Sequence, residues 1–367
     1  MAGRVGAASM SSRAPLALVT GSSGLIGSEA VEFLDARGYV VHGIDNNLRR
    51  FFFGSDGDTT WNLERLRAVT SRFVHHDLDI RDRAGVASVV GECRPDLIVH
   101  AAAQPSHDLA ARLPFDDFEV NAMGTLNLLD AARSHCPESP FVFLSTNKVY
   151  GDAPNELPLV ELETRWEYAD AALWDGIDED CRVDQTMHSL FGASKLAADV
   201  LVQEYGRYFG MPTVCLRAGC LTGPHHAGAE LHGFLAYLAR AAADGLPYRV
   251  YGYKAKQVRD NLHAHDVCTA IMAFAGNPRS AAVYNLGGGR DNSISMLEAI
   301  GRFESLFGRR LDWEYVDEPR RGDHICYISD VGRFRADYPE WSVSRPLDVI
   351  FDDLVRRLRG RVRGAPA

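Results

Sequence analysis

The chain has few cysteines and none in a close pair. Its seven cysteines stand singly along the sequence: Cys93, Cys136, Cys181, Cys215, Cys220, Cys268 and Cys326. An odd number of thiols without a C-x-x-C pair is typical of a reducing compartment. We therefore predict a cytoplasmic protein without disulfide bonds.

Metal ligands at a useful spacing are also lacking. The adjacent histidines His75 and His76, and again His225 and His226, are the nearest approach to a ligand set. Neighbouring side chains of a strand point to opposite faces, and no third ligand follows at the spacing of a zinc site. We predict that no metal is bound.

Long apolar runs and an excess of positive charge are missing as well. No run approaches the ~20 apolar residues that span a bilayer, so we expect no membrane insertion. With 39 Lys and Arg against 49 Asp and Glu, the formal net charge of -10 offers no basic surface for nucleic acid. The basic stretch from Arg356 to Arg363 could bind nucleic acid, but a solvated helix end and frayed tail is favoured. Residues 1–14 lack the apolar centre of a secretory signal and are expected to form a disordered leader.

The sequence does contain an alternation of short β-branched apolar runs with segments of helical period. The predicted strands are Leu16–Thr20, Val40–Asp45, Arg72–His76, Leu97–Ala101, Phe141–Leu144 and Thr213–Arg217. The predicted helices are Leu25–Arg37, Asp82–Cys93, Phe115–His135 and Leu190–Phe209. This alternation predicts βαβ units and an α/β fold with a doubly wound parallel sheet of the Rossmann type.

Three glycines follow the first predicted strand and open the first predicted helix. They are Gly21, Gly24 and Gly27. Glycine there permits a tight turn, and N–H groups at the helix N-terminus can bind a pyrophosphate. Asp45 ends the second strand 18 residues after Gly27, where a carboxylate accepts hydrogen bonds from an adenosine ribose. The combination predicts a dinucleotide site and favours NAD over NADP. NADP is not excluded, because two arginines near Asp45 could pair with its additional phosphate.

Further motifs carry a resemblance to a known family. They are the glycine turn, His100–Gln104, Asn121–Thr125, Ser145–Gly151 and Lys195. From Leu16 to about Arg357 the chain resembles the extended short-chain dehydrogenases/reductases, and among them the NAD-dependent epimerase/dehydratase family. Ser145–Gly151, the long segment after it, Leu162–Arg165 and Lys256–Asp260 are most similar to the CDP-paratose (CDP-tyvelose) 2-epimerases.

The resemblance implies a site for NAD and a site for a nucleotide-diphosphate sugar. The cofactor residues that it implies are Gly21, Ser23, Gly24, Leu25, Ile26, Gly27, Asp45, Asn46, Asp79, Ile80, Ala101, Ala102, Ala103, Gln104, Asn121, Ser145 and Lys195. The substrate residues that it implies are Gln104, Ser106, Thr146, Asn147, Phe191, Arg217, Arg259 and Arg320. Thr146 would hydrogen-bond the reacting hydroxyl and Lys195 the nicotinamide ribose. Arg259 and Arg320 would hold the diphosphate through forked hydrogen bonds.

One position departs from the pattern of the family. Its catalytic element is Tyr-x-x-x-Lys, in which the tyrosine takes a hydroxyl proton and the spacing puts both side chains on one helix face. Here Phe191 stands four residues before Lys195, and phenylalanine has no proton to exchange. His188, Lys148 and His107 are the candidates to replace the tyrosine as base, and sequence leaves the choice among them open.

The pattern and the resemblance together divide the chain. Residues 15–219 are expected to form an NAD-binding Rossmann domain, in which the acidic, proline-containing stretch 151–187 is an insertion or lid. Residues 220–357 are expected to form mainly a smaller substrate-binding lobe, with 260–290 returning to the Rossmann domain, and 358–367 a tail. The helices over Phe115–His135 and Leu190–Phe209 resemble those that pair family members, so we expect a homodimer.

Three functions are compatible with these residues. The resemblance implies transient oxidation of a sugar carbon by bound NAD, inversion of a stereocentre and return of the hydride, with no net redox change. Dehydration or decarboxylation after the same oxidation is an alternative, with acidic residues of 151–187 as acid or base. A non-catalytic NAD-binding protein is a further alternative, motivated by Phe191. The retention of Thr146 and Lys195 favours catalysis.

Overall fold

A parallel sheet of seven strands forms the centre of the protein. The computed structural model describes residues 13–226, 228 and 233–361, so most of the expected leader and the last six residues of the expected tail lie outside the described residues. The strands are β1 Leu16–Thr20, β2 Val40–Ile44, β3 Phe73–His76, β4 Leu97–His100, β5 Phe141–Thr146, β6 Leu159–Glu161, β7 Trp166–Tyr168, β8 Thr213–Ala218, β9 Cys220–Thr222, β10 Tyr248–Tyr251, β11 Val258–His263, β12 Ala282–Leu286, β13 Ser293–Ser295, β14 Trp313–Val316 and β15 Cys326–Tyr327. All six predicted strands are present within one or two residues of their predicted bounds.

The central sheet has the strand order β12-β8-β5-β4-β1-β2-β3, and every neighbouring pair is parallel. The chain begins in the middle with β1 and builds outward in both directions, which is the doubly wound arrangement. Strands β1 and β5 are buried along almost their whole length because helices cover both faces of the sheet. The predicted fold class is confirmed.

Helices occupy both faces of this sheet and most of the second lobe. They are α1 Leu25–Asp35, α2 Leu48–Phe53, α3 Thr60–Val69, α4 Arg83–Cys93, α5 His107–Arg112, α6 Pro114–Phe118, α7 Gly124–His135, α8 Leu190–Phe209, α9 Phe234–Asp244, α10 Ala264–Gly276, α11 Met296–Phe307, α12 Gly332–Asp337 and α13 Leu347–Arg361. Helix α8 has its predicted bounds because the Ser189 side chain caps its first turn and Gly210, at φ +67°, ends it. The single helix predicted over Phe115–His135 is instead divided into α6, a π turn at Glu119–Met123 and α7.

The segment 151–187 is anchored to the second lobe. It contains the antiparallel pair β6 and β7. Its residues Tyr168 and Ile177 are buried in one apolar cluster with Cys326 and Tyr327. Ile177 also forms a parallel bridge with Ser329. These contacts fix the position of the segment, which in the sequence connects β5 to α8 of the central domain.

The second lobe has an apolar core of its own. Helices α9, α11 and α13 surround the parallel pair β10 and β14 in this core. Before the lobe is complete, the chain returns to the central domain, where α10 packs against α1 and β12 becomes the outermost strand of the sheet. Within the described part of the chain, no helix has both the length and the apolar character needed to cross a membrane.

Candidate active site

A cavity of about 460 Å³ lies at the carboxyl ends of the central strands. Parallel strands end at one edge of their sheet, so the loops after β1, β2, β4, β5 and β8 meet there. Residues of the second lobe complete the lining, including β10 and the loop before β15. The cavity thus joins the glycine turn, the end of β5 and the basic residues of the second lobe.

The glycine turn exists only because two positions carry no side chain. Gly21 has φ +67°, and a Cβ there would lie 2.8 Å from the backbone nitrogen of Ala102. A Cβ on Gly27 would lie 1.9 Å from the carbonyl oxygen of Gly21. The N–H of Gly24 donates to the same oxygen at 3.0 Å, and α1 begins at the next residue. The first turn of α1 lines the cavity with N–H groups that have no partner within the helix, as pyrophosphate binding requires.

Asp45 follows β2 and is fixed by two backbone donors. Its carboxylate accepts the N–H of Ser23 at 2.9 Å and the N–H of Asn47 at 2.7 Å. Burial raises the pKa of Asp45, although both hydrogen bonds favour the charged form. The carboxylate lines the cavity and has lone pairs left over for the hydroxyls of a ribose.

Asp79, one of the cofactor residues that the resemblance implies, also lines the cavity. The Asn46 amide donates to its carboxylate at 3.1 Å, and Arg81 pairs with it at 2.8 Å. Burial works to raise the pKa of Asp79, but the hydrogen bonds and the charge of Arg81 outweigh burial and lower this pKa overall. Ile80, the next residue, provides an apolar surface in the same lining.

Thr146 and Lys195 come together at the end of β5. The Thr146 hydroxyl accepts the N–H of Lys148 at 3.2 Å and faces the cavity. The Lys195 ammonium donates to the carbonyl oxygen of Leu144 at 2.8 Å, which leaves two of its protons for a ligand. Burial lowers the pKa of Lys195 to about 8, against the charge of Asp199, which raises it.

Phe191 lines the cavity one helical turn before Lys195. Its ring lies edge-on to the imidazole of His107, with 5.0 Å between the ring centroids. Nδ1 of His107 is 2.7 Å from the hydroxyl of Ser189. Burial, together with the charge of Lys148, lowers the pKa of His107 to about 3. A histidine that holds protons this weakly is a poor base at neutral pH.

Lys148 is the centre of a cluster of charged side chains in the lining, in which Arg259 is buried and Lys148 and Asp323 are half-buried. Its ammonium donates to the carbonyl oxygen of Gly322 at 2.9 Å and lies 3.7 Å from the Asp323 carboxylate. Asp323 also accepts a 2.5 Å hydrogen bond from Arg259. Burial lowers the pKa of Lys148 to about 8, and the positive charges of Arg259 and Arg320 lower it further, while Asp323 raises it. Burial works to raise the pKa of Asp323, but the positive charges of Arg259 and Lys148 hold this pKa well below its usual range.

The two arginines expected to hold a diphosphate both line the cavity. Arg259 is buried on β11 and has a raised pKa because Asp323 outweighs the effect of burial. Arg320 pairs with Asp108 of α5 at 2.5 Å. A guanidinium group has five N–H donors in a fork that matches the oxygens of a diphosphate.

The structure brings most of the predicted site residues to one cavity. Those in its lining are Gly21, Gly24, Leu25, Ile26, Asp45, Asn46, Asp79, Ile80, Ala101, Ala102, Ala103, Ser145, Thr146, Asn147, Lys148, Phe191, Lys195, Arg259 and Arg320. The predicted residues outside the lining are Ser23, Gly27, Gln104, Ser106, Asn121, His188 and Arg217. Ser23 and Gly27 shape the glycine turn through their backbone, so their effect on a dinucleotide is indirect.

Gln104, Ser106 and Asn121 require a correction, because their side chains are buried behind the cavity wall. The Gln104 amide donates to Asp117 at 2.7 Å and to the carbonyl oxygen of Ser106 at 2.9 Å. The Asn121 side chain accepts the backbone N–H of Gln104 at 2.9 Å and donates to the hydroxyl of Ser194 at 3.0 Å. These residues position the loop after β4 against α8 and do not face a ligand.

His188 and Arg217 also require a correction. The ring nitrogens of His188 face the carbonyl oxygens of Val149 and Thr186, at 2.8 and 3.2 Å, and His188 does not line the cavity in which a base is needed. Arg217 is buried, lies outside the lining and pairs with Asp199 at 2.9 Å, so its guanidinium is engaged within the protein.

Sequence reasoning missed Asp323, the carboxylate between Lys148 and Arg259. A signal was present, since Asp323 follows Arg320 by three residues in a loop with three charges and one glycine. It also missed β10, whose residues Tyr248–Tyr251 line the cavity from the second lobe. That strand carries no motif of its own, and only its pairing with β14 brings it to the site.

The fold and the site define an enzyme of the dinucleotide-binding, Rossmann class. A model of the NAD dependent epimerase/dehydratase family matches residues 17–287. The chain belongs to this family of nucleotide-sugar epimerases and dehydratases, and the prediction of NAD as cofactor is confirmed.

Relatives and solved structures agree with this assignment. The chain is 31% identical over 323 residues to CDP-paratose 2-epimerase of Salmonella typhi, covering 86% of this chain and 90% of that protein. It is 30% identical over 332 residues to dTDP-glucose 4,6-dehydratase 1 of Escherichia coli, covering 85% and 81%. The structure is similar to that of UDP-glucose 4-epimerase from Thermus thermophilus in complex with NAD, with a TM-score of 0.75, 28% identity and coverage of 94% and 99%.

Proposed function

We propose that the chain is a nucleotide-sugar epimerase of the CDP-paratose 2-epimerase kind. The observation that carries the proposal is that one cavity is lined by the glycine turn, by Thr146 and Lys195, and by the arginines Arg259 and Arg320. This combination suits a dinucleotide together with a molecule that carries both a sugar and a diphosphate. The similarity to CDP-paratose 2-epimerase over most of both chains supports the same assignment.

The chain's own residues have separate tasks in this reaction. Bound NAD supplies a reversible hydride acceptor for one sugar carbon, which is the chemistry that epimerisation of this kind needs. Thr146 holds the hydroxyl on that carbon, and Lys195 orients the cofactor ribose. Lys148 takes the hydroxyl proton, because its lowered pKa of about 8 leaves a useful neutral fraction near neutrality.

The proposal is tested in two steps. Denaturation of the purified protein should release a nucleotide that co-elutes with NAD, since the glycine turn and Asp45 suit tight retention. The native enzyme should then convert CDP-paratose to CDP-tyvelose. NMR of the sugar ring should show inversion at C2 and no group lost from the sugar. A protein that retains NAD but leaves CDP-paratose unchanged would contradict the substrate and not the family.

Dehydration or decarboxylation is the second candidate, because a dTDP-glucose 4,6-dehydratase is 30% identical. Elimination requires an acid to protonate the leaving group. Among the described residues, the carboxyl groups that line the cavity are Asp45, Asp79 and Asp323. Asp45 and Asp79 lie at the cofactor end, and Asp323 is held charged by Lys148 and Arg259. This lack of a protonated acid near Thr146 favours epimerisation, and water or CO2 among the products would overturn that preference.

A non-catalytic NAD-binding protein is the remaining alternative, and Phe191 is its motive. The cluster of Lys148, Asp323 and Arg259 is evidence against this alternative, since withdrawing three charges partly from water costs free energy and pure cofactor binding gives these residues no task. No turnover across a broad panel of nucleotide sugars, with NAD retained, would support the binding function instead.

We also infer a homodimer in which the partner is a second copy of this chain. Large apolar side chains are exposed along α6, the π turn and α8, among them Phe118, Met123 and Val200. Together with Ala122 and Ala197 they line a shallow, predominantly apolar groove. Two such faces related by a two-fold axis would bury each other's apolar surface.

Seven free thiols further support a cytoplasmic location.

A further inference from the structure

A second cluster of reactive side chains lies away from the cavity, under the outer part of the central sheet. It consists of His42 on β2, His76 at the end of β3 and Cys93 at the end of α4. One ligand atom from each residue lies within 4.8 Å of the other two. These three residues, here called the HHC cluster, take no part in the proposed reaction.

Strand and helix geometry bring the HHC cluster together. His42 and Ile44 point to the same face of β2 because side chains alternate along a strand. His76 pairs with Ile44 in the parallel register and therefore shares that face. Helix α4 covers this face with residues spaced by four and three positions, of which Cys93 is the last. The members are 34 and 17 residues apart in sequence, so spacing alone does not predict them.

The contacts within the cluster exceed what hydrogen bonding can satisfy. Nδ1 of His42 is 2.9 Å from Nε2 of His76 and 2.9 Å from the sulfur of Cys93. An imidazole nitrogen either donates one proton or accepts through one lone pair. His42 can therefore complete only one of these two contacts well, yet both partners converge on it.

We propose that the HHC cluster is a binding site for a zinc ion. Two imidazole nitrogens and one thiolate are the ligands that Zn²⁺ prefers, and a water molecule would complete the tetrahedron. The Cys93 thiol gives up its proton to solvent on binding, so that sulfur coordinates as thiolate. Ligand atoms around tetrahedral zinc lie roughly 3.3 to 3.6 Å apart, so the two contacts of His42 need to lengthen by only about half an ångström.

The half-buried setting of both histidines fits this role. It leaves a path for the ion and its water, while the buried Cys93 anchors the site to α4. A bound ion would join the edge strand β3 to β2 and α4. The ion would thus stabilise the part of the sheet that carries Asp45, while the fourth position, held by water, stays open to exchange.

The test uses the full chain without an affinity tag, treated with a chelator and then titrated with ZnCl2. We expect uptake of about one zinc per chain and a rise in melting temperature with zinc concentration. Titration with CoCl2 should produce a thiolate-to-cobalt charge-transfer absorption. Cys93→Ser should abolish that absorption, and His76→Gln should weaken zinc binding by more than the roughly 10- to 100-fold seen for outer-shell partners.

Matched variants separate this site from adventitious binding. His75→Gln changes the neighbouring histidine of β3, which points to the opposite face, and Cys136→Ser removes a different thiol, which is half-buried. Both should bind zinc and cobalt like the unaltered protein. The proposal is overturned if the unaltered chain takes up no zinc, or if His76→Gln and Cys93→Ser bind zinc as tightly as the two controls.

Discussion

In the proposed reaction, Phe191 leaves the proton of the sugar hydroxyl to another side chain. Its ring faces His107, whose lowered pKa makes it a poor base, and His188 lies outside the cavity. Lys148 remains, since it lines the cavity two residues after Thr146 and has a lowered pKa. At the scale of single residues, the replacement of a phenol is therefore the main chemical problem of this enzyme.

Exchange of Lys148 for methionine tests this assignment. Loss of a general base lowers turnover by about 100-fold or more, so Lys148→Met should show at least that decrease in kcat. Phe191→Tyr alone should change kcat by only a few-fold. In the Lys148→Met background it should restore part of the lost turnover, because the tyrosine supplies a base at the family's usual position.

Lys254→Met is the control, since Lys254 is an exposed lysine paired with Glu161. It should turn over like the unaltered enzyme. If Lys148→Met keeps full turnover, Lys148 is not the base; if Phe191→Tyr creates activity in a protein that has none, the natural chain is a non-catalytic relative.

The pH profile provides a second test at this scale. The neutral amine of Lys148 is the active form, so kcat should rise with pH through about 8, the value to which burial lowers its pKa. Asp323, Arg259, Arg320 and Cys220 are the charged or ionisable groups that influence it.

Lys195 titrates in the same range, so the profile must be compared between proteins. Lys148→Arg keeps a positive charge that does not titrate, and its residual activity should lack the part of the rise due to Lys148. A rise of unchanged size in Lys148→Arg would assign the whole profile to another group.

At the scale of elements, a buried ion pair joins β8 to α8. Arg217 pairs with Asp199 at 2.9 Å with almost no exposure of either side chain. Asp199 also accepts the hydroxyl of Ser145, from the end of β5, at 2.6 Å. Because α8 carries both Phe191 and Lys195, this pair fixes the helix that presents the site to the strand ends.

Arg217→Met should destabilise the protein by about 3 to 5 kcal/mol, because it leaves the Asp199 carboxylate buried without its partner. Urea denaturation measures the loss. Arg207→Met breaks an exposed pair on the same helix, with Glu204, and should change stability by less than about 1 kcal/mol. The double variant Arg217→Met with Asp199→Leu should lose less than Arg217→Met alone; an equal or larger loss would show that the ion pair itself is stabilising.

At the scale of the whole molecule, helix α8 contributes both to the apolar face, with α6 and the π turn, and to the cavity. Phe118 and Val200 are exposed on this face, while Phe191 and Lys195 line the cavity from α8. Association through this face would therefore hold the active helix on both sides, against β8 within the chain and against a second copy outside it.

Val200→Asp should convert a dimer into a monomer, because it places a charge in an apolar interface. Size-exclusion chromatography with light scattering should give twice the 40.4 kDa of the chain for the unaltered protein. Val74→Asp, on β3, is the matched control, since the exposed fractions of the two valines are 43% for Val74 and 44% for Val200. Dissociation by both variants, or by neither, would contradict the proposed interface.

Local pattern determined the fold class and the cofactor end of the site. The alternation of strand and helix periods specifies a parallel doubly wound sheet, because each element must bury its own apolar face. The glycine turn and Asp45 also followed from the sequence, since they depend on backbone conformation and strand ends within 25 consecutive residues of one βαβ unit. The roles assigned to individual site residues stay predictions, to be tested by the variants above.

Tertiary structure alone decided which polar residues face the cavity. Gln104, Asn121 and Arg217 carry functional residue types but turn into the protein, because buried partners on other elements satisfy them. Asp323 enters the site through its contact with Lys148, and His42, His76 and Cys93 meet beneath the sheet. The residues in these contacts are 34 to 175 positions apart in the sequence. Sequence spacing carries no information about such contacts, since they depend on how separate elements pack and not on the conformation of either one.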